Sequence, residues 1–595
     1  MTMDRDSFLD FFEDELAALS DQFKQFGDRY PKSVSASKIA PQSSDPHINL
    51  LIETFAYYAA KMRARVEEIK YAVPETILSN VDPALIETIP AITLAHCAID
   101  YDKPPSPDGI TLARGTRLFA RAQDGSYCNL KTSYKMHVLP VYVHNFQVEP
   151  AFEHDFWSSQ VRSVVSVDLA AVGCLFSDIT ADRLRLFIDG DAKHAFTLRE
   201  FLMRHMSQIV MLDTASGRHE SLDLDTFQPV GYDEDEAILA NGLSVNSAFR
   251  LIRELAIFPQ KFLFFDLMKI AFPPTARRVK ILFGFDRNLP SWLSLDRLSL
   301  KTHATPIVNS YKKSAEPITL NDIQSEYAIR PDIATKKSEV ICVEKVTISS
   351  PGIEGFSGIP HAFNAPKSSG KDTIFWSDRY EKSFSSDSRA KLIIHNSDPI
   401  GQSLSGHVAL LDLVCHNPLQ VREITPGVEV FSNTELPGKM QIIRFPTQFY
   451  PRVQDSETLW RTANRLNATL PMFSVAHDPV ENAKGFSEYI RDYIPAGLES
   501  IRNELDAIKE LTVTSTVQDV IEHGVIAIRE GFEIEMILDE NAFLESNLHL
   551  FCEILNEMLS NLVAMNSFVQ LKTSTLQNPE ERFLWKPGRY GKSMI

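Results

Sequence analysis

Residues 45–74 read DPHINLLIETFAYYAAKMRARVEEIKYAVP. Apolar residues recur at Ile48, Ile52, Phe55, Ala59, Met62, Val66, Ile69 and Val73, in alternating steps of 4 and 3. Such a heptad seam stays on one side only in an α-helix. Asp45 is a good N-cap. Pro46 suits the first helical position, where its missing N–H would have no partner anyway. Pro74 predicts the end of the helix. At 1.5 Å per residue the seam spans ~39 Å. A stripe of that length needs a cover, which another part of this chain or another chain can supply equally well.

Upstream, Phe12, Leu16, Leu19, Phe23 and Phe26 repeat the 4-and-3 spacing, so residues 1–90 read as a helical, bundle-forming region. Phe12, Leu16, Leu19, Phe23, Ile48, Ile52, Phe55, Ala59, Met62, Val66 and Ile69 are the candidate partner-interface residues.

Downstream, from about Ile92, the period changes to two. Alternating runs between Thr111 and Val143 are punctuated at Arg114-Gly115 and Asp124-Gly125. Asp-Gly between such runs predicts a hairpin, and a second is predicted where Arg185 to Ile188 meets Asp189-Gly190. Residues 91–230 therefore read as an antiparallel β domain. Residues 231–400 read as a mixed, β-rich domain, with a short helix at Ala248–Ile257 and a buried strand at Phe262–Phe265. Residues 349–389, rich in Ser, Gly and Pro, read as a long loop. It carries an aromatic-basic patch, Phe375, Trp376, Arg379 and Tyr380, suited to anchoring or contact. Residues 401–595 read as mixed α/β. Leu498, Ile501, Leu505 and Ile508 mark a helix, and Phe532, Ile534, Met536 and Leu538 a strand. Leu544, Leu548, Phe551, Leu555, Met558, Leu562 and Met565 form a second heptad seam. The fold class is α+β multidomain: long N-terminal helices, antiparallel β-rich middle domains and a mixed C-terminal domain.

A chain of 595 residues allows about three to five domains. With 60 basic and 78 acidic residues the net charge is -18, opposite to the basic excess that drives nucleic-acid binding. The six cysteines form no CxxC pair and read as small buried hydrophobes in a reducing compartment. The acidic N-terminus lacks the pattern of a signal peptide. No stretch reaches the ~18 apolar residues of a membrane span. The expectation is a cytoplasmic protein without direct membrane insertion.

Catalytic motifs fail on spacing. Gly591-Lys592-Ser593 imitates the end of a phosphate-binding loop, but the required earlier glycine is Lys586 and only two residues follow. Neither Gly355-Phe-Ser357-Gly358 nor Gly401-Gln-Ser403-Leu-Ser405 is a nucleophile elbow. HExxH and GxGxxG are absent. His47, in Asp45-Pro46-His47, is better explained by helix capping than by a metal. Glu533 and Glu535 fall opposite an apolar strand face, as solvated residues do. No catalytic residue, metal or cofactor is expected. A structural scaffold fits this pattern best, ahead of a glycan- or ligand-binding β-rich protein or a multidomain hydrolase.

Several segments together resemble the TssF (ImpG/VasA) family of the type VI secretion system. Asp45-Pro46-His47 with Leu50-Leu51-Ile-Glu53-Thr-Phe55-Ala56-Tyr-Tyr-Ala59-Ala60 is similar to one family segment. Leu112-Ala-Arg-Gly115-Thr116-Arg-Leu118, with Cys128 and Thr132, resembles a family hairpin. Val230-Gly231-Tyr232, Phe249-Arg250-Leu251-Ile252-Arg-Glu254 and Phe258-Pro259-Gln-Lys261-Phe262-Leu-Phe264-Phe265 follow in family order. Pro306-Ile-Val308-Asn309, Glu316-Pro317-Ile318, Glu326-Tyr327, Pro331-Asp332, Cys415-His-Asn417, Leu459-Trp460-Arg461, Gly531-Phe-Glu533-Ile-Glu535 and Leu538-Asp539-Glu540 complete the series. Departures at Ala113, Ala248-Phe249, beyond Cys415 and after Phe543 point to a divergent branch. The resemblance implies a non-enzymatic baseplate wedge protein, related to wedge proteins of contractile phage tails. It implies two copies bound to one TssG, joined to TssK, to the sheath-initiating TssE, to the VgrG hub and to neighbouring wedges. It also implies recruitment to an inner-membrane-docked secretion complex.

Overall fold

A computed structural model describes residues 5–30, 46–239, 247–321, 323–331, 338–349, 356–362, 374–381, 389–396, 403–436, 438–466, 478–495, 497–522, 525–543, 547–562 and 567–585. The chain forms two compact units, each assembled from separated stretches. One takes 1–87, 312–415 and 452–464; the other takes 88–311, 416–451 and 465–595. The division 1–90, 91–230, 231–400 and 401–595 follows composition along the chain, whereas contacts regroup those stretches in space.

The first unit contains the helices Arg5–Arg29 and Pro46–Val81. They run in the same direction: Phe8 meets Tyr57, and Asp14 meets Arg63 at the same sequence offset. The second helix does not stop near Pro74, as the proline predicts, but continues to Val81. Strands Val408–His416, Glu339–Ser349 and Phe356–Ile359 lie side by side, and Glu326–Ala328, Arg389–Asn396 and Ile374–Glu381 form a second sheet. The expected loop 349–389 therefore contains two strands; 350–355, 363–373 and 382–388 lie outside the described residues. Alternation along Ile374–Glu381 buries Trp376 and Tyr380. Trp376 donates to the Ile359 carbonyl (3.1 Å), Tyr380 to the Ile341 carbonyl (3.2 Å), and Arg379 pairs with Glu326 (3.1 Å). The aromatic-basic patch anchors its own sheets.

The second unit is built around a closed six-stranded barrel in the order Ile92–Ile99, Ala304–Val308, Tyr127–Thr132, Arg117–Arg121, Glu429–Ser432 and Gly438–Ile442. Its interior is filled by small and medium side chains, among them Ala95, Cys97, Leu118, Ala120, Cys128, Leu130, Val430 and Met440. Gly438 is required: a Cβ there would lie 1.9 Å from the Ala98 carbonyl oxygen. The predicted Asp124-Gly125 hairpin forms between Arg117–Arg121 and Tyr127–Thr132. No hairpin forms at Asp189-Gly190. Arg183–Ile188 pairs with Phe264–Met268 and Leu300–Thr302, because helix Ala192–Glu200 begins directly after the glycine.

A five-stranded sheet (His219–Leu222, Met206–Asp213, Arg278–Phe285, Ser163–Ala171, Val141–Glu149) extends this unit. At the C-terminal end, Ile508–Glu522 pairs antiparallel with Val525–Leu538, which pairs parallel with Phe568–Thr575. A parallel pair needs a crossover, and the helix Leu548–Asn561 supplies it. That helix covers the central part of the seam predicted over Leu544–Met565; Leu544 and Met565 lie outside the described residues.

Candidate partner interface

The long helix Pro46–Val81 carries two apolar faces. Ile52, Ala56, Ala60, Ala64, Tyr71 and Leu78 are buried. The alanines, spaced four apart, lie on one side and let a neighbouring backbone come close. The first helix lies against that side. Phe8 meets Tyr57 edge-on at 5.3 Å, and Arg63 sits 5.2 Å from the Phe11 ring centroid while pairing with Glu15 at 3.2 Å. Phe12, Leu16 and Leu19 are half-buried. On the other side Phe55, Met62, Val66, Ile69, Val73 and Ile77 are exposed, from 41% for Ile77 to 71% for Met62.

The heptad seam is thus split. Ile52 packs inside the unit, Ala59 is half-buried at the boundary, and Phe55, Met62, Val66 and Ile69 face outward. Phe23 and Ile48 belong to the two helices, with side chains outside the described set. Spacing rules weight large side chains, whereas three alanines, Ala56, Ala60 and Ala64, lie on the buried face. Ile77 was not legible because Pro74 reads as a terminus.

Exposed apolar patches beyond a few hundred Å² are rare on monomers and mark contact sites. Fully burying one large aliphatic or aromatic side chain contributes about 1.5–3 kcal/mol. Association costs about 4–15 kcal/mol. Two such residues would not offset that cost, but six on one face are of the required order.

The helix passes through Pro74 with outside help. A proline offers no N–H to the carbonyl four residues earlier and crowds it, at a cost of about 3 kcal/mol. The Lys70 carbonyl accepts instead from the Trp460 indole Nε1 at 3.0 Å, on helix Ser456–Leu466 of the same unit. Beyond the proline, Arg452 donates to Glu75 Oε1 (2.7 Å) and Ser79 Oγ (3.0 Å), and its guanidinium lies 3.7 Å over the Tyr380 ring. Burial by itself would loosen the Arg452 proton; Tyr380, Glu75 and Tyr71 outweigh it and push the pKa up. Burial pushes the Tyr71 hydroxyl up to about 12, so it stays neutral.

Charged groups of the second unit are spent on structure. The segments Arg250–Glu254 and Pro259–Phe265 meet as a buried cluster. Lys261 and Arg250 both contact Glu254 Oε2, while Glu254 Oε1 accepts from the backbone N–H groups of Ile238 (2.7 Å) and Leu239 (3.0 Å). Burial lowers the Lys261 pKa; for Glu254, burial is outweighed by Lys261 and Arg250, which hold its carboxyl below the usual range. Asn309 and Asn417, from two separate family-like segments, join directly: the Asn417 N–H donates to Asn309 Oδ1 (2.9 Å), and Asn309 Nδ2 donates to the Asn129 carbonyl (2.7 Å). Phe249, at one departure from the family pattern, is buried and stacks on Tyr493 at 3.7 Å.

Several groups able to do chemistry are likewise paired. Glu533 pairs with Lys572 (2.6 Å) and Glu535 with Arg582 (3.6 Å). Glu149, Glu153 and His154 are the one grouping of three metal-capable side chains among the described residues. There Glu149 Oε1 already accepts from Ser166 (2.7 Å), Gln147 (3.0 Å) and Lys280 (2.8 Å). A cavity of about 720 Å³ beside helix Leu548–Asn561 contains Arg204 and Arg287, and both pair with Glu581, at 2.9 and 2.8 Å. All six thiols are free, and burial pushes Cys97 up to about 11 and Cys128, Cys415 and Cys552 to about 12, away from thiolate chemistry. Among the described residues no helix is long and apolar enough to cross a membrane.

The family described as "Type VI secretion system, TssF" matches residues 3–592. The type VI secretion system component TssF1 of Pseudomonas aeruginosa is 22% identical over 620 residues, covering 98% of this chain and 98% of that protein. One chain of a TssK-TssF-TssG baseplate subcomplex solved by cryo-electron microscopy superposes with a TM-score of 0.73 at 19% identity, over 90% of this chain and 98% of that one. A chain of a baseplate complex from the type VI secretion system superposes with a TM-score of 0.61 at 20% identity, over 98% and 99%. At these identities the structural likeness establishes the fold.

Proposed function

The chain belongs to the TssF family of the type VI secretion system, and from that membership we propose that it is a non-catalytic structural subunit of the secretion baseplate wedge. Two copies associate with one TssG, and the wedge so formed joins TssK, TssE, the VgrG hub and neighbouring wedges. The solved complexes that share its fold are described as baseplate assemblies, one of them with TssK and TssG. The observation that carries the reading is the apolar face of the long helix, Phe55 to Ile77, which is exposed among the described residues. A heptad-spaced face is matched by a second helix with an apolar stripe, packed knobs-into-holes. TssG supplies that stripe in this proposal.

The test is co-expression with the TssG and TssK of the same secretion system. Phe55→Asp together with Met62→Asp puts two charges on the face, and a charge buried without a partner costs several kcal/mol. TssG capture should be lost while circular dichroism and the thermal midpoint of the chain alone stay unchanged, since both residues are exposed. A complex that survives the double substitution removes this face from the assembly. Native mass spectrometry of the wild-type complex checks the 2:1 ratio.

A further inference from the structure

We infer that Trp460 is a positioning residue for the partner face: its indole N–H takes the place of the backbone donor that Pro74 lacks, and so keeps the face continuous from Phe55 to Ile77. The inference rests on the proposed role of that face.

Pro74 divides the face. Phe55, Met62, Val66, Ile69 and Val73 precede it and Ile77 follows. Sharp helix kinks arise at prolines, and a kink would swing Ile77 out of line with the rest. Two contacts prevent this, one on each side of the break. Before the proline, Trp460 Nε1 donates to the Lys70 carbonyl at 3.0 Å. That is the carbonyl whose helical partner would be residue 74. After the proline, Arg452 holds Glu75 and Ser79 at 2.7 and 3.0 Å. Arg452 and Trp460 belong to the same short stretch, residues 452–464, of the same unit. That stretch therefore acts as a splint across the gap, tying both arms of the helix to one reference. The backbone adds a further tie at its base, where Val453 N–H donates to the Ile86 carbonyl at 3.0 Å. Trp460 is 39% exposed, so its ring is not fully committed to the core, and among the described residues its indole N–H donates to the Lys70 carbonyl.

The experiment is hydrogen exchange of the full chain, read over peptides spanning residues 66–81, together with capture of TssG in the co-expression assay. Trp460→Phe keeps the ring and removes the donor. Exchange in 70–79 should speed up on the order of tenfold, as for the loss of one hydrogen bond, and capture should weaken. Pro74→Ala restores a backbone donor to the Lys70 carbonyl. The double variant Trp460→Phe/Pro74→Ala should therefore return both readouts to wild-type values. Unchanged exchange in Trp460→Phe overturns the inference. So does accelerated exchange that Pro74→Ala fails to reverse, because Trp460 would then act through packing alone. Exchange that accelerates and is rescued while capture never moves supports the splint and overturns the partner-face reading instead.

Discussion

Two helices of this protein carry the same heptad spacing and meet opposite fates. In Leu548–Asn561, Leu550, Phe551, Cys552, Ile554, Leu555, Met558 and Leu559 are all buried. In Pro46–Val81 the large residues of the seam mostly face outward. The C-terminal helix links two parallel strands, and a crossover of that kind lays the helix back over its sheet. It is also pinned from outside: Arg199 pairs with Glu553 at 2.8 Å, and Asn547 Nδ2 donates to Glu200 Oε2 at 3.0 Å. The long helix has helix Arg5–Arg29 on one side and helix Ser456–Leu466 at Lys70, and among the described residues Phe55, Met62, Val66, Ile69, Val73 and Ile77 stay exposed. Heptad spacing thus announces that a stripe will be covered, and the topology decides whether by the same chain.

If that contrast holds, the largest effect belongs to the C-terminal helix. Leu555→Ala should cost about 2–5 kcal/mol, the range for truncating a fully buried leucine, read as a lower urea midpoint of the isolated chain. A stability loss below about 0.5 kcal/mol, the range of surface substitutions, would place the helix outside the core.

Acid should separate the regions next. His549 on the C-terminal helix is pushed down to about 4 by burial, and in the barrel region burial takes His96 to about 4 and His303 to about 3. An unfolded histidine takes up a proton near pH 6.5, while folded His96 and His549 refuse it until about pH 4 and His303 until about pH 3. Their contribution is present above pH 6.5 and is lost as the pH falls from there towards 4. Thermal midpoints should therefore decline over that window, with hydrogen exchange rising first in peptides covering 92–99, 300–308 and 548–561. A flat profile between pH 7 and 4.5 would contradict the burial of these rings.

The smallest effect should come from the long helix. Met62→Ala in the isolated chain should change stability by no more than about 0.5 kcal/mol, as exposed positions do. A loss near 2 kcal/mol would mean that the face is already covered within the chain.

Much of the architecture was legible in the residues. Period-two alternation and Asp124-Gly125 gave the barrel hairpin, and the 4-and-3 series gave both helices. The failures have local causes. Asp189-Gly190 reads as a hairpin because the turn signal is identical whether a strand or a helix follows. Residues 349–389 read as a loop because Ser and Gly dilute the pattern around two strands. Of the candidate face, Phe55, Met62, Val66 and Ile69 were readable, whereas Ile77 and the residues that bond the helix on either side of Pro74, Arg452 and Trp460, were not.

The sequence by itself determined many of the helix and strand segments, that a long apolar stripe exists, and that the chain follows a family order from end to end. Periodicity and turn chemistry are local, so they survive without coordinates. Only the tertiary structure decided which stripe is left open among the described residues, that three alanines lie on the buried face of the long helix, and that a tryptophan some 390 residues away completes a hydrogen bond a proline cannot make. Those outcomes depend on which distant groups arrive at a given carbonyl or helix face, and spacing along the chain carries no record of that.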